Sequence, residues 1–526
     1  MKILTARQMQ EVDRRSTEEA QVPSLTLMEN AGFNLFLALD RRFEDLKNQQ
    51  IAIICGKGNN GGDGSVLARQ LIQRGVYPDV FLLTTADQVT GDAKVNLDIL
   101  LASQYPVFEI SSEEEWEVAS ASLELYDIVV DALLGTGINQ PLRDLYRTVV
   151  ADINQCRGFV LAVDIPSGLF SDSAEAPQEC VWADVTVTFT APKIAHVLTQ
   201  AQEALGELEV VQIGTPPQLL DTAEFNLNLL TRESVQEYLL PRPASSHKGS
   251  YGHVAIIAGS QGKSGAACLS SYAALRSGAG LVTALVPSAV QSLVASNRTE
   301  IMTEGLPSTP AGTFDLSAAE PALELLADKD CGAIGPGLTT EPATVEFIER
   351  IVNESSIPLV IDADGLNAFS DRMDRCQNRT QQPLVLTPHP GEFSRLTGIP
   401  TVELLSRQLE IARDFCEEWK VWLVLKTFRP LIATPDGQIY VSPQGNPGMA
   451  TAGMGDVLTG ILTSVIGQYQ AAGMTDPEEL TCAVCLAVYL HGTAGDLAVA
   501  EIEPSALAGN DVIEHLSAAF KWLAAE

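Results

Sequence analysis

IAIICGKGNNGGDGSVLARQLIQRG, residues 51–75, decides how the first half of this chain folds. Five apolar residues (51–55) make a short run fit for burial on both faces. Residues 56–64 form a glycine-rich turn, and SVLARQLIQRG reads as a helix. Strand, glycine loop and helix in that order are one unit of a parallel sheet. The unit recurs outward from here in VFLL (80–83), YDIVVDAL (126–133), FVLAVDIP (159–166), VTVTF (185–189) and LEVVQI (208–213), with helical segments between the earlier runs. Upstream, Thr5 to Gln8 reads as a capping box opening a helix with Met9 and Val12 on one face. Leu25, Met28, Leu35 and Leu39 continue helical spacing. The expected fold is a Rossmann-like three-layer α/β/α domain.

The pattern breaks between Thr215 and Lys248, where Pro, Ser and polar residues concentrate as in a connector. The expected boundary gives domains over 1–225 and 226–526. A second α/β series follows: HVAIIAGS (253–260), GLVTALVP (280–287), CGAIGPG (331–337), PLVIDADG (358–365), PLVLTPHP (383–390), VWLVLK (421–426) and LIATPDGQIYVS (431–442). Heptads and solenoid repeats are not in the pattern.

Composition excludes several classes. Of 526 residues, 46% are apolar and 19% charged, which rules out a disordered chain. With 33 Lys+Arg against 67 Asp+Glu, the net charge of -34 opposes broad contact with nucleic acid or anionic lipid. A polyanionic ligand must then be held by local backbone donors. Nine scattered Cys suggest reduced thiols and a cytoplasmic setting. Cys482 and Cys485 form a CxxC ahead of His491, but within an apolar helical stretch lacking a second ligand pair, so burial is the expected reason for them. The first residues lack the apolar core of a signal peptide. An uninterrupted apolar run of the ~18 residues needed to cross a bilayer is not found.

Gly56, Gly58 and Gly61 satisfy GxGxxG, but the dinucleotide fingerprint also needs an acidic residue ending the next strand to hold the ribose. VFLL ends in Thr84 and Thr85 instead, which disfavours a standard NAD-dependent dehydrogenase. What remains is a glycine turn at a helix N-terminus offering N–H groups to phosphate, with Asn59, Asn60 and Asp63 beside it. The competing reading is a tight structural turn with Asx caps. Asp131 and Asp164, with Ser167, stand at two further strand ends. Singly each reads equally as a loop cap; together they make an oxygen-rich pocket suited to a hard cation.

LMENAG (27–32), GNNGGDG (58–64), DALLGTG (131–137) and VDIPSG (163–168) closely resemble the epimerase domain that acts on hydrated NAD(P)H, over almost all of residues 1–220. The resemblance implies that Asn59, Asn60, Gly61, Gly62 and Asp63, with Gly135, Thr136, Gly137, Ile138, Asn139, Gln140 and Pro141, hold the hydrated dinucleotide, Asp164 lying beside it. It implies that Asn60, Asp131 and Ser167 ligate a potassium ion. Inversion at carbon 6 needs proton movement rather than hydride transfer. Asp164 is the candidate proton shuttle and Lys193 a second; the competing reading of Lys193 is a solvated surface amine.

In the second domain, GNPGMATAGMGDVLTG (445–460) carries GxGD in Gly453, Gly455 and Asp456, just before a helix. Glycines free the backbone to wrap a phosphate, the helix N-terminus supplies donors, and an Asp there can take a proton from a hydroxyl. Phosphoryl transfer to an alcohol needs that combination. GSQGKSGAA (259–267) contains GKS, but two residues rather than four separate its glycines, so a P-loop is rejected.

GxGD near the end of the chain resembles ribokinase-like kinases. HKGSYGHVAIIAGSQGKSGA (247–266), ALRSGAGLVT (274–283), IGPGL (334–338), DADGLN (362–367) and TPHPGEF (387–393) narrow the resemblance to the NAD(P)H-hydrate dehydratases, ribokinase-fold lyases, over most of residues 230–526. It implies that Ala266, Gly337, His389 and Asp456 contact the hydrate and Gly455 the adenine nucleotide, with ADP as co-substrate and Mg2+. His389 otherwise reads as a satisfied loop histidine. The nucleotide segment departs from the family pattern: Lys426 is kept, but Thr427, Phe428, Arg429 and Pro430 follow it, and Pro430 removes a backbone donor.

The expected function is two-step repair of NADHX and NADPHX. The first domain epimerises, and the second phosphorylates the ring hydroxyl so that it can leave, with Asp456 as base. A homo-oligomer is the expected assembly. Two other readings stay open: a small-molecule kinase with a nucleotide-binding regulator, and a non-catalytic interaction module in the first half.

Overall fold

The computed structural model describes residues 1–525 apart from 139, 223–224 and 378–380. The chain divides into two compact units, one of Lys2–Phe225 and one of Met1 with Asn226–Glu526.

In the N-terminal unit, strands β1 (Ile51–Cys55), β2 (Asp79–Leu82), β3 (Val107–Glu109), β4 (Ile128–Ala132), β5 (Phe159–Val163), β6 (Val185–Phe189) and β7 (Glu207–Val211) form a sheet of order β3-β2-β1-β4-β5-β6-β7. Every adjacent pair is parallel. Alternation along β1 feeds two cores: Ile51, Ile53 and Cys55 pack with Leu35 and Leu67 on one face. Ala52 and Ile54 pack with Trp116 and Val149 on the other. Burial on both sides explains the unbroken apolar runs. Thr5 and Gln8 do form the capping box, and Met9 and Val12 are buried. β3, an edge strand of three residues with two exposed, offers no such run and was not anticipated.

The C-terminal unit holds β8 (Leu227–Leu229), β9 (His253–Ile257), β10 (Leu281–Pro287), β11 (Met302–Leu306), β12 (Cys331–Ile334), β13 (Leu359–Ile361), β14 (Leu384–Leu386), β15 (Trp422–Leu425), β16 (Leu431–Ala433) and β17 (Ile439–Val441). Their order is β11-β10-β9-β12-β13-β14-β15-β16-β17-β8. Pairing is parallel except where β16 meets β15 and β17. The run 431–442 is thus two strands joined at the turn around Gly437, and β8 lies within the stretch that reads as connector. β11 was also missed; Glu304 and Gly305 interrupt its apolar character.

The helix Pro477–Val499 is long and apolar enough by composition to cross a bilayer, although charged and polar residues interrupt it. Its most apolar window is 72% buried, and Leu486, Leu490 and Ala494 belong to the unit's core with Val254, Ile256 and Ile461. Cys485 is fully buried in this helix. Burial pushes the Cys482 thiol up to about 11. Among the described residues no three His, Cys, Asp or Glu side chains group as metal ligands.

Candidate active sites

In the N-terminal unit the strand order reverses between β1 and β4. Loops leaving their carboxyl ends splay apart there, opening a crevice for a ligand. The helix after β1 begins at Asn59, not at Ser65, with Gly58 as its N-cap. None of Gly56, Gly58, Gly61, Gly62 and Gly64 has positive φ, so turn geometry is not why they are glycine. A Cβ on Gly61 would lie 1.9 Å from the Gly56 carbonyl oxygen. Missing side chains let the helix start press onto the strand ends.

A cavity of about 750 Å³ opens at this crevice. Asn59, Asn60, Asp63, Gly135, Thr136, Gly137, Ile138, Asp164 and Lys193 line it. Gly61 and Gly62 are buried within the first turn of the helix, and Gln140 and Pro141 are exposed further along their loop. Asn139 lies outside the described residues.

An enclosed ion pair, Lys193 with Asp164, lies in the cavity wall. Lys193 is 1% exposed, so it is no solvated surface amine. Its Nζ lies 2.6 Å from Asp164 Oδ1 and 2.8 Å from Thr188 Oγ1, while the Thr188 hydroxyl donates to the same carboxylate oxygen at 2.8 Å. Burial alone would push the Asp164 carboxyl up, but Lys193 and Thr188 hold it below the usual range. Asp164 adopts φ 63°, a left-handed conformation uncommon for a residue with a side chain. His196 accepts the Lys193 backbone N–H through Nδ1 at 2.9 Å. Burial and then Lys193 push its imidazole down to about 3, so it is neutral.

Two further carboxyls face this pair. Burial, then Asp164 and Asp13, hold Asp63 well above the ordinary carboxylate range. Burial raises Asp13 to about 6, with Asp164 adding and Lys193 opposing. One oxygen of Asp13 is buried without a hydrogen-bond partner. Asp13 was missed, yet a signal existed: it lies on a helix between Val12 and Ser16, both buried.

Asp131 and Ser167 are both fully buried. The Ser167 hydroxyl donates to Asp131 Oδ1 at 2.6 Å and its N–H to Oδ2 at 2.8 Å. The Asn60 amide donates to the Leu134 carbonyl at 3.1 Å, which the Ser167 hydroxyl also approaches, at 3.3 Å. The three residues therefore converge on one spot. Burial pushes Asp131 up to about 6 against those hydrogen bonds, and among the described residues no cationic side chain offsets it. A buried carboxylate lacking a cation, set among amide, hydroxyl and carbonyl oxygens, fits a hard monovalent ion.

In the C-terminal unit the order reverses between β9 and β12. Ala266 lies in the first turn of the helix Ser264–Arg276. Gly337, at φ 67°, approaches it so closely that a Cβ on Gly337 would lie 3.0 Å from Ala266 Cβ. His389 caps the helix Pro390–Thr397, its Nδ1 accepting from Gly391 and Glu392 N–H at 3.0 and 3.3 Å. Its side chain remains 52% exposed.

Asp456 lies in the first turn of the helix Met454–Ala471 and is partly exposed. Burial pushes it up to about 6, Asp362 and Asp364 adding and Lys426 opposing. The Lys426 ammonium lies 2.6 Å from Asp362 and 3.8 Å from Glu392. A Cβ on Gly455 would stand 3.4 Å from both Lys426 Nζ and Asp362 Oδ2. Lys426 thus faces the Asp456 turn. The rest of its segment behaves differently. Phe428 is 57% exposed, the Thr427 hydroxyl donates to the Arg429 carbonyl at 2.6 Å, the Arg429 Nε is buried without a partner, and the Pro430 carbonyl accepts from Ser442 N–H at 3.0 Å. Asp362 and Glu392 were not singled out, although both lie in motifs that were read, DADGLN and TPHPGEF.

The family model described as NAD(P)H-hydrate dehydratase matches residues 254–517, and that described as YjeF-related protein N-terminus matches residues 24–195. The bifunctional NAD(P)H-hydrate repair enzyme Nnr of Moorella thermoacetica is 43% identical over 517 residues, spanning 98% of this chain and 96% of its own. Its namesake from Escherichia coli is 31% identical, spanning 96% and 92%. The crystal structure of an ADP/ATP-dependent NAD(P)H-hydrate dehydratase from Bacillus subtilis, co-crystallized with ATP/Mg2+, is 30% identical with a TM-score of 0.49, covering 57% of this chain and 99% of that one. On its full-length likeness, the chain belongs to the family of bifunctional NAD(P)H-hydrate repair enzymes.

Proposed function

We propose that residues 1–225 interconvert the R and S forms of NADHX and NADPHX, and that residues 226–526 dehydrate the S form at the expense of ADP, yielding NAD(P)H, AMP and phosphate. The observation that carries this reading is the 43% identity across both units to a protein named for bifunctional repair. In addition, each unit keeps a largely buried carboxylate 2.6 Å from a lysine where strands of its sheet end.

Carbon 6 of the hydrated ring bears a hydroxyl and is bonded to the ring nitrogen. Inversion proceeds when the hydroxyl takes a proton and leaves as water while the nitrogen lone pair forms a C=N bond. Water then returns to the opposite face and gives up a proton. Asp63, held well above the ordinary carboxylate range, suits the donor role, and Asp164, held ionised by Lys193, suits the acceptor. Paired groups driven apart in this way divide acid from base work. The N–H groups at Asn59 to Gly61 would meet the diphosphate, with the loop from Gly135 to Pro141 opposite. Asn60, Asp131 and Ser167 would hold potassium, which supplies a fixed positive charge when bound.

In the C-terminal unit Asp456 takes the proton of the carbon 6 hydroxyl. That oxygen attacks the β-phosphorus of ADP, and AMP departs with the electrons of the broken P–O bond. Phosphate then leaves carbon 6, pushed by the nitrogen lone pair, and loss of a carbon 5 proton restores the dihydropyridine. Gly453 to Gly455 would cradle the transferred phosphoryl. Ala266, Gly337 and His389 would border the hydrate, and residues 426–430 the nucleotide. Mg2+ arriving with the nucleotide would supply positive charge to its diphosphate.

The test uses the purified full-length chain with S and R hydrates, Mg2+, and ADP or ATP in parallel, following the reduced-nicotinamide absorbance. Both forms should be consumed with ADP. Absence of regenerated NADH sinks the dehydratase assignment. Consumption of S alone, with R decaying only at its rate in buffer, sinks the epimerase assignment.

A further inference from the structure

Asp362 has no role in the reaction as derived so far, yet it is 1% exposed and sits against the reacting turn. It directly follows β13, and the next residue, Ala363, has positive φ, 48°, so the chain is bent sharply where the carboxylate projects. One oxygen receives the Lys426 ammonium at 2.6 Å and the other the Thr459 hydroxyl at 2.9 Å. Thr459 lies one turn along the helix from Gly455 and Asp456, on the same face. Asp362 therefore ties together the end of β13, the end of β15 and the start of the helix that carries Asp456.

We infer that Asp362 is a positioning residue for the dehydration reaction, clamping the Lys426 ammonium against the Gly455–Asp456 turn so that one fixed cation serves both the base and the arriving phosphoryl group. This deepens the proposed dehydratase function and rests on it.

The surroundings support the assignment. The charged groups facing Asp456 are Asp362, Asp364 and Lys426. Those facing Lys426 are Asp362, Glu392 and Asp456. His491, from the helix Pro477–Val499, also lies within reach of the Lys426 charge; burial and then that charge keep its imidazole neutral, at about 4. Two carboxylates thus push the Asp456 proton on, and Lys426 alone pushes it off. The clamp keeps the ammonium beside the base. With it, the base ionises near about 6 and is an anion at neutral pH. Asp362 itself stays charged because Lys426 offsets its burial.

The roles of the pair predict opposite signs. The experiment measures kcat/KM for S-NADHX against pH, at saturating ADP, on the full-length chain. Asp362→Asn, whose amide oxygen still accepts from Lys426 but whose negative charge is gone, should move the acid limb down by about one pH unit, and Lys426→Met should move it up by about one, a nearby opposite charge being worth about 1–3 units. Lys426→Arg, which keeps the charge, should leave the limb in place; with Asp362→Asn it carries the test if Lys426→Met does not fold. Loss of rate with every limb unmoved, or limbs moved in the same direction, would overturn the inference while leaving the dehydratase reading intact. A wild-type chain that forms no NADH would overturn both.

Discussion

Lys193→Met is the perturbation with the widest consequences. The ammonium is 1% exposed and Asp164 beside it 14% exposed, so the pair has almost no water to replace a lost partner. Removing one partner of a buried pair costs about 3 kcal/mol or more, because the remaining charge is left uncompensated. For a domain of this size that corresponds to a melting temperature lower by about 6–12 °C. Asp164 has an escape: it takes up a proton, since burial already drives it up and Lys193 was the main opposing influence. The sign follows. In the wild type the depressed Asp164 carboxyl contributes stability above its unfolded value, lost as pH falls through the folded one. In Lys193→Met that contribution is gone and burial drives the carboxyl toward its neutral form. The acceptor for epimerisation is then missing, which should slow the reaction by about 10²–10⁴-fold. Omitting ADP isolates epimerisation, and chromatographic separation of R and S hydrates gives the rate. The double variant Lys193→Met/Asp164→Asn should regain much of the stability and none of the activity. A Lys193→Met protein that melts as the wild type does and equilibrates the hydrates within about threefold of its rate would refute the reasoning.

Asp456→Asn should lower NADH regeneration by at least about 10²-fold and leave R–S equilibration unchanged, as ADP-dependent and ADP-free assays on one preparation will show. Replacing potassium by tetramethylammonium should lower both the epimerisation rate and the melting temperature of the N-terminal unit. Asp131→Asn should melt at the same temperature in either salt, because the buried carboxylate that calls for a cation is gone. Gly61→Ala would set a Cβ 1.9 Å from a backbone oxygen, a clash that the helix start can relieve only by lifting. Destabilisation by about 1–3 kcal/mol and loss of epimerisation are expected, read by denaturant unfolding and the same chromatographic assay.

Legibility differed by element. β1 is apolar along its whole length, β6 alternates β-branched Val and Thr, both are buried on both faces, and their bounds could be read directly. β3, β8 and β11 are short or half exposed and carry no such pattern. The glycines after β1 were visible, but their reason was not: a turn was expected where the helix had already begun. Lys193 was open between site and surface, because a lysine beside apolar residues more often extends into solvent than buries its charge.

What this sequence determined by itself is local: which runs are strands, where glycine permits a close approach, which Asp ends a strand, and, through motif resemblance, the family. Tertiary structure alone decided the pairings. Asp164 meets Lys193 across β6, and Asp362 meets Lys426 from a strand end two strands away. A side chain's charge state depends on the water it has lost and the charges brought beside it, and both are set by chain segments far apart in sequence. For that reason the carboxyls could be named from the sequence, but which of them hold a proton could not.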